Sequence, residues 1–330
     1  MSRDLSDVVI SLYRGGDDEE ILRVFNRVFG DGRTLDEWRW LYCGNPEGLQ
    51  AHLARFEDGE VVSEFCAVPR RVKLPDGPAL FGEIVDSYTD PSYRKGLKRR
   101  GPFASAGEWF AQTFGRYDRD IIMYGLPTPA NFRIGQRFLG YTHVEEVDML
   151  FREIGPGADA ALSSECRATR VDRFGEGVNG LYRRVESAHE CIVVRDTRYL
   201  NWRYADRPEN PYELWEYRDH RDLVFAIAVL RRGWSGGDEL AVADLLAEPD
   251  HWVLPDVIRH IESRGRAQGC ERAILMLNPR GEQWDGVMGL GWEPRRTHFV
   301  FTARTFQPER LTLEWLQENW YFTLGDFDVV

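Results

Sequence analysis

Apolar positions along the 330-residue chain alternate between two periodicities, one of strands and one of helices. Residues 7–14 (DVVISLYR) alternate as a strand does. After Asp17 and Asp18, the positions Ile21, Leu22, Val24, Phe25 and Val28 follow helical spacing until Gly30 stops it. A second helix is predicted from Thr34, whose hydroxyl has Glu37 three residues on to complete a capping box; it carries Trp38, Trp40 and Leu41 and ends at Asn45-Pro46. Residues 51–57 and 60–74 read as strands turning at Asp58-Gly59. Glu83 to Thr89, β-branched and aromatic and closed by Pro91, is the next strand. Beyond Gly101 the period changes again, with Phe103, Ala106, Phe110 and Phe114 on one helix face. DIIMYGLP (120–127) predicts a buried strand, NFRIGQRFLG (131–140) a short helix and YTHVEEVDMLFREI (141–154) a final strand pair.

The second half repeats this order. Trp38-Arg39-Trp40 has a counterpart in Trp202-Arg203-Tyr204, and each is followed by Asn-Pro and a strand hairpin. EIVDSYTDP (83–91) parallels AVADLLAEP (241–249), IIMYGLP parallels AILMLNP (273–279), and Leu139-Gly140-Tyr141 parallels Leu290-Gly291-Trp292. Landmarks recurring in one order point to an old duplication. Residues 155–180 read as a linker. Their Gly-x-Gly-x-x-Gly (175–180) lacks the buried preceding strand that a dinucleotide fingerprint needs.

Between the strand ending at Thr89 and the helix after Gly101 lies a turn carrying Arg94, Lys95, Lys98, Arg99 and Arg100 around Gly96 and Gly101. A helix's first turn leaves backbone N–H groups unpaired and carries the positive end of its dipole, so this arrangement suits an anion. A solvated basic turn is the plainer reading on charge alone.

The stretch Phe81–Phe114 resembles the acyl-CoA-binding core of the GNAT acyltransferases, whose fourth strand leads into an Arg/Gln-x-x-Gly-x-Gly/Ala loop and the third helix. The local match is Lys98-Arg99-Arg100-Gly101-Pro102-Phe103, with Lys98 at the Arg/Gln position and Phe103 where a small residue is usual. The resemblance implies an α/β (α+β) fold of two tandem GNAT-like domains, each a mixed, mostly antiparallel sheet flanked by helices. It places an acyl-CoA-binding domain at 1–154, a degenerate copy at 181–305 and a tail at 306–330. It implies acetyl-CoA or another acyl-CoA as cofactor, held by Tyr88, Thr89, Arg94, Lys98, Arg99, Arg100, Gly101, Pro102 and Phe103, with Asn131 on the pantetheine arm. Phe81-Gly82-Glu83-Ile84-Val85 is similar to the segment around the catalytic glutamate of the histone acetyltransferase branch, which makes Glu83 the expected general base. Asp86 is a second acid, a substrate anchor or a buried hydrogen-bonding residue. The family's general acid is a Tyr on the helix at 131–138; none is present, and Tyr124 and Tyr141 are the substitutes. The second half has no basic glycine loop after Pro249. The tail ends in Gly-Asp-Phe-Asp, as in some tandem members, and reads as a docked aromatic segment with Asp326 and Asp328 solvated.

Charge narrows the partners. With 42 Lys+Arg against 54 Asp+Glu, the net charge of −12 disfavours nucleic acid and anionic membranes; a small-molecule amine as acceptor is what the resemblance implies. Five scattered cysteines form no Cys-x-x-Cys pair and no His-Glu-x-x-His occurs, so neither disulfides nor a metal is expected. No signal-length apolar segment opens the chain, which makes the cytoplasm the expected compartment. The expectation is thus an acyl-CoA-dependent N-acyltransferase working by direct attack. A non-catalytic acyl-CoA-binding protein and an aminoacyl-tRNA-dependent transferase on the same tandem fold are the alternatives.

Overall fold

The computed structural model describes residues 3–30, 32–94, 99–155, 162–234, 236–249 and 253–328. In chain order its elements begin β1 (Val9–Leu12), α1 (Asp18–Phe29), α2 (Leu35–Tyr42), β2 (Gln50–Arg55), β3 (Val61–Leu74) and β4 (Gly77–Thr89). There follow α3 (Pro102–Phe114), β5 (Asp120–Gly125), α4 (Pro129–Phe138), β6 (Thr142–Glu153), β7 (Arg167–Val171), α5 (Gly177–Val185) and β8 (Cys191–Val193). Then come α6 (Thr197–Leu200), β9 (Tyr212–Arg218), β10 (Val224–Arg232), β11 (Glu239–Ala247), α7 (Val253–Ala267) and β12 (Arg272–Leu275). The last are α8 (Glu282–Gly289), β13 (Glu293–Thr305), α9 (Leu313–Asn319) and β14 (Trp320–Tyr321).

Contacts divide the chain into two units. The first comprises Met1–Arg71, Pro78–Glu145 and Phe299–Glu314; the second comprises Val72–Gly77, Glu146–His298 and Trp315–Val330.

In the first unit the strand order is β1-β2-β3-β4-β5, and the end of β13 then pairs antiparallel with β5, Thr302 opposite Gly125. β1, β2 and β3 are antiparallel neighbours, whereas β4 and β5 are parallel. Helix α3 covers one face: Ala106, Phe110 and Phe114 pack on Phe65, Ala67, Met123 and Leu139. Strand alternation turns Glu64 and Cys66 to the other face, where α1 buries Ile21, Val24 and Phe25 and α2 buries Trp38, Leu41 and Tyr42. The capping box expected at Thr34 is present, with Glu37 N–H donating to Thr34 Oγ1 at 3.2 Å and Thr34 N–H to Glu37 Oε2 at 2.8 Å.

In the second unit the order is β7-β9-β10-β11-β12-β6, followed by the start of β13, with β11 and β12 parallel as β4 and β5 are. The sequence of edge strand, helices, hairpin, strand, helix, parallel strand and helix is the same in both units. Three expectations change. Residues 167–171, assigned to a linker, form β7 on β9, and the Gly-x-Gly-x-x-Gly segment leads into α5. A polar edge strand has no apolar alternation to betray it. The 141–154 strand pair is one strand, and residues 302–305 take the place beside β5.

The third correction concerns the C-terminal segment. Asp326 is fully buried, ion-paired to buried Arg195, which also donates to Asp244 from Nε at 2.8 Å. Trp320, Phe322 and Phe327 cluster around it, while Asp328 is exposed as expected. The tail docks by charge as well as by its aromatic rings.

Candidate active site

The site of the first unit begins where β4 leaves β5. Their parallel register runs from Leu80 opposite Asp120 to Glu83 opposite Tyr124, and β4 then continues to Thr89. At Gly125 a Cβ would stand 3.0 Å from the Ile84 carbonyl oxygen, so a side chain there would crowd the last point of approach. Beyond it the edge of β4 is open to a ligand. Backbone N–H and C=O groups on such an edge are obligatory hydrogen-bonding groups in search of partners.

A cavity of about 370 Å³ follows that edge. Ser87, Tyr88 and Thr89 of β4 line it, together with Arg94, the Gly101–Ala104 start of α3 and Asn131 of α4. α3 opens with Pro102 in its first turn and no side-chain cap. Proline removes one N–H that would be unpaired and leaves those that follow aimed outward. Arg94 is steered by its Nε–H donating to the Thr89 carbonyl at 2.9 Å. Thr128 caps α4, its Oγ1 accepting from Asn131 N–H at 3.4 Å.

Of the ten expected cofactor residues, the cavity brings together Tyr88, Thr89, Arg94, Gly101, Pro102, Phe103 and Asn131. Arg99 and Arg100 are exposed, Arg100 pairing with Glu108. Lys98 lies outside the described residues, as does Gly96. Tyr88 aims its hydroxyl away from the cavity, at the Ile21 carbonyl of α1, 3.1 Å away.

The expected catalytic residues separate. Glu83 is 2% exposed and its carboxylate is engaged by the equally buried Arg70. Tyr124 is buried against Phe81 and Phe301. Tyr141 sits in the α3-side core, where burial pushes its phenol up.

Asp86 has the different setting. Its φ of 49° is the left-handed conformation, reached by few non-glycine residues and costing about 1–3 kcal/mol. Arg33, from the connection between α1 and α2, pairs with its Oδ2, and Tyr42 Oη donates to the same oxygen at 2.7 Å. The Arg33 guanidinium lies 4.3 Å over the Phe25 ring, which fixes it from the other side. Ser87 Oγ spans the irregular backbone, donating to the Val85 carbonyl at 3.0 Å and accepting from Cys66 N–H at 3.1 Å. These contacts hold the strained residue in place.

Glu64 on β3 is the neighbour that sequence reasoning missed. It is 1% exposed, and burial, reinforced by the negative charge of Asp86, pushes its carboxyl up to about 8. Its Oε1 has no hydrogen-bond partner among the described residues. The available signal was strand alternation, which places Val62, Glu64 and Cys66 on one face of β3.

The second unit repeats the motif around Asp86 in closed form. Asp244, at the matching position of β11, accepts from Tyr204 Oη at 2.9 Å and pairs with Arg195. Here the backbone is not left-handed, and Asp326 supplies a second carboxylate to the same fully buried Arg195. The cavity at the end of β11, about 600 Å³, is lined by the carboxylates Glu190, Glu248, Glu282 and Glu318.

Solved structures share this architecture. A conserved protein of unknown function from Enterococcus faecalis V583 superposes with a TM-score of 0.69 at 13% identity, covering 94% of this chain and 74% of that one. A GCN5-related N-acetyltransferase from Anabaena variabilis gives 0.66 at 13% identity, covering 91% and 73%. The chain has the GNAT fold. The mixed, mostly antiparallel sheet flanked by helices matches the expected α/β fold class. An N-myristoyltransferase from Saccharomyces cerevisiae with bound myristoyl-CoA also carries this fold, with a TM-score of 0.57 at 10% identity and coverage of 92% and 86%. No family model and no curated protein sequence matches the chain.

Proposed function

We propose that the protein is an acyl-CoA-dependent N-acyltransferase, using acetyl-CoA or another acyl-CoA and transferring its acyl group to the amine of a small or medium substrate. The observation that carries this reading is the single cavity joining the free edge of β4 to the uncapped start of α3. An uncapped helix start suits a pyrophosphate, and an open strand edge suits the amide groups of a pantetheine arm. A bound acyl-CoA supplies an acyl carbon activated by its thioester.

The chain's own residues supply the rest. N–H groups of Phe103 and Ala104 meet the phosphates, with Arg94 beside them. Asn131 orients the arm from α4. β4 N–H groups beyond Ile84 polarise the thioester carbonyl, an oxyanion-hole role. Asp86 takes the proton of the incoming amine, a reading supported by its strained backbone beside the open edge and its partly exposed partner Arg33. Glu83 is assigned instead to anchoring Arg70, because that pair is 2% exposed on both sides whereas Arg33 and Asp86 keep 17% and 9%. The second unit, with acids where phosphate donors would be needed, is assigned a supporting role.

Thiol release from acetyl-CoA in the presence of a panel of primary amines tests the reading. The wild type is expected to turn over at least one amine, and Asp86→Asn to lower kcat/KM by about 10²-fold or more. No release with acetyl-CoA or longer acyl-CoAs would leave a binding protein rather than an enzyme.

A further inference from the structure

Two carboxyl groups in the first unit lie on one face of the sheet without a structural task that accounts for both. Glu64 is buried with an oxygen left unpartnered. Asp86 is held in a left-handed backbone, and its carboxylate is shared between Arg33 and Tyr42. The two acids stand on adjacent strands, and Tyr42 Oη, 3.5 Å from Cys66 Sγ and donating to Asp86, puts Asp86 on the face that Cys66 and, two residues before it, Glu64 share. The charged and titratable groups around Glu64 are Asp86 of β4, Arg33 of the α1–α2 connection, Tyr42 of α2, Cys66 of β3 and Tyr88 of β4. Arg33 supplies the single positive charge of this group. One guanidinium balances one carboxylate, so the second carboxyl is favoured in its protonated form.

We infer that Glu64 and Asp86 hold one proton between them, Asp86 being the carboxylate that meets the acceptor amine and Glu64 the positioning residue that carries the shared proton. This rests on the N-acyltransferase reading. An ammonium approaching Asp86 takes up the charge complementarity that Arg33 provides in its absence. It gives its first proton to the pair. The neutral nitrogen bonds the thioester carbonyl carbon, the carbon–sulfur bond breaks, and a second proton from nitrogen goes with the sulfur as thiol. The pair then returns its extra proton to solvent. Two neighbouring carboxyls cannot both ionise readily, so the proton stays on Glu64 and leaves Asp86, beside Arg33, as the carboxylate.

The second unit provides the contrast. There Arg195 lies between Asp244 and Asp326, fully buried, and both acids have the guanidinium as partner. That arrangement is a closed structural ion cluster. The first unit lacks the tail carboxylate and instead has Glu64, whose free oxygen and side-chain neighbours leave it able to hold a proton.

Two readouts test the inference on the full chain. Infrared difference spectra of the ligand-free protein at pH 7, wild type minus Glu64→Gln, are expected to show the carbonyl stretch of a protonated carboxyl. The pH profile of kcat/KM with acetyl-CoA and an accepted amine is expected to keep its acidic limb in Glu64→Gln, whose amide stands in for the neutral carboxyl, and to lose the alkaline limb that ionisation of Glu64 gives the wild type, with the acetyl-CoA Kd unchanged. A lowered rate with an unmoved alkaline limb would make Glu64 merely structural and overturn the proposal, as would absence of the infrared band. If Glu64→Gln does not fold, Asp86→Asn serves: removing the neighbouring charge should shift Glu64 titration, read by the same band, to lower pH, and an unshifted band overturns the pairing. If no amine is acylated while the band is present, the acyltransferase reading fails and the catalytic use of the pair fails with it.

Discussion

Asp120 shows how a single buried acid in this fold couples stability to pH. It opens β5 with no exposure; Gln50 Nε2 donates to its Oδ1 at 2.9 Å, and Oδ2 has no partner. Burial pushes its carboxyl up to about 7, with Gln50 and Arg119 only partly opposing. The folded state therefore binds this proton more tightly than the unfolded chain, whose Asp titrates near 3.8. Stability is lost as pH rises from that value through about 7, and the loss is complete above it. Asp120→Asn is expected to gain about 2 kcal/mol relative to wild type at pH 8 and little at pH 4.5. Urea midpoints at the two pH values check this; an equal difference at both would show that Asp120 is already ionised in the folded protein. The same physics hid Glu64 from the sequence. A strand written VVSEFCAV presents a polar position that normally faces water, and only the cover provided by α1 and α2 turns it into a buried carboxyl. Asp86 was legible as a residue of interest, whereas its left-handed backbone was not.

At the scale of elements, punctuation carried most of the reading. The capping box at Thr34, the Asp58-Gly59 turn and the α3 stripe are short-range signals, and each element formed where its signal lay. What failed was non-local. The pairing of residues 302–305 with β5 joins positions far apart in the chain, and β7 is an edge strand of polar alternation. No local pattern encodes either. α3 also depends on a close approach that its sequence shows only as a glycine. A Cβ at Gly107 would stand 2.9 Å from Leu139 and from Phe65, so the helix lies nearly in contact with its neighbours. Gly107→Val is expected to destabilise the protein by about 2 kcal/mol through overpacking. It is also expected to weaken acetyl-CoA binding, because displacing α3 moves the Gly101–Ala104 turn. Thermal unfolding and a ligand titration on the same variant separate the two effects. Unchanged affinity would mean that the helix start is held independently of the helix body.

For the whole molecule, one element order occurs twice with different outcomes. The first unit couples it to an uncapped helix start, an open strand edge and a strained acid. The second keeps the Arg–Asp–Tyr contact but closes it with Asp326 and lines its cavity with carboxylates. The repeated landmarks made the recurring element order legible from sequence, and the second half carries no basic glycine loop after Pro249. The proposed function has a chain of net charge −12, with arginine and lysine concentrated at residues 94–100, take a small anion at one place. Calorimetric titration with acetyl-CoA, comparing wild type with Gly101→Glu, tests this most directly. Gly101 has an ordinary φ of −102°, so the substitution sets a carboxylate at the start of α3 without backbone strain. The account predicts micromolar binding at one site per chain, weakened at least about tenfold in the variant, a loss of about 1.4 kcal/mol. Equal binding by both proteins, or none by the wild type to any acyl-CoA, would contradict it.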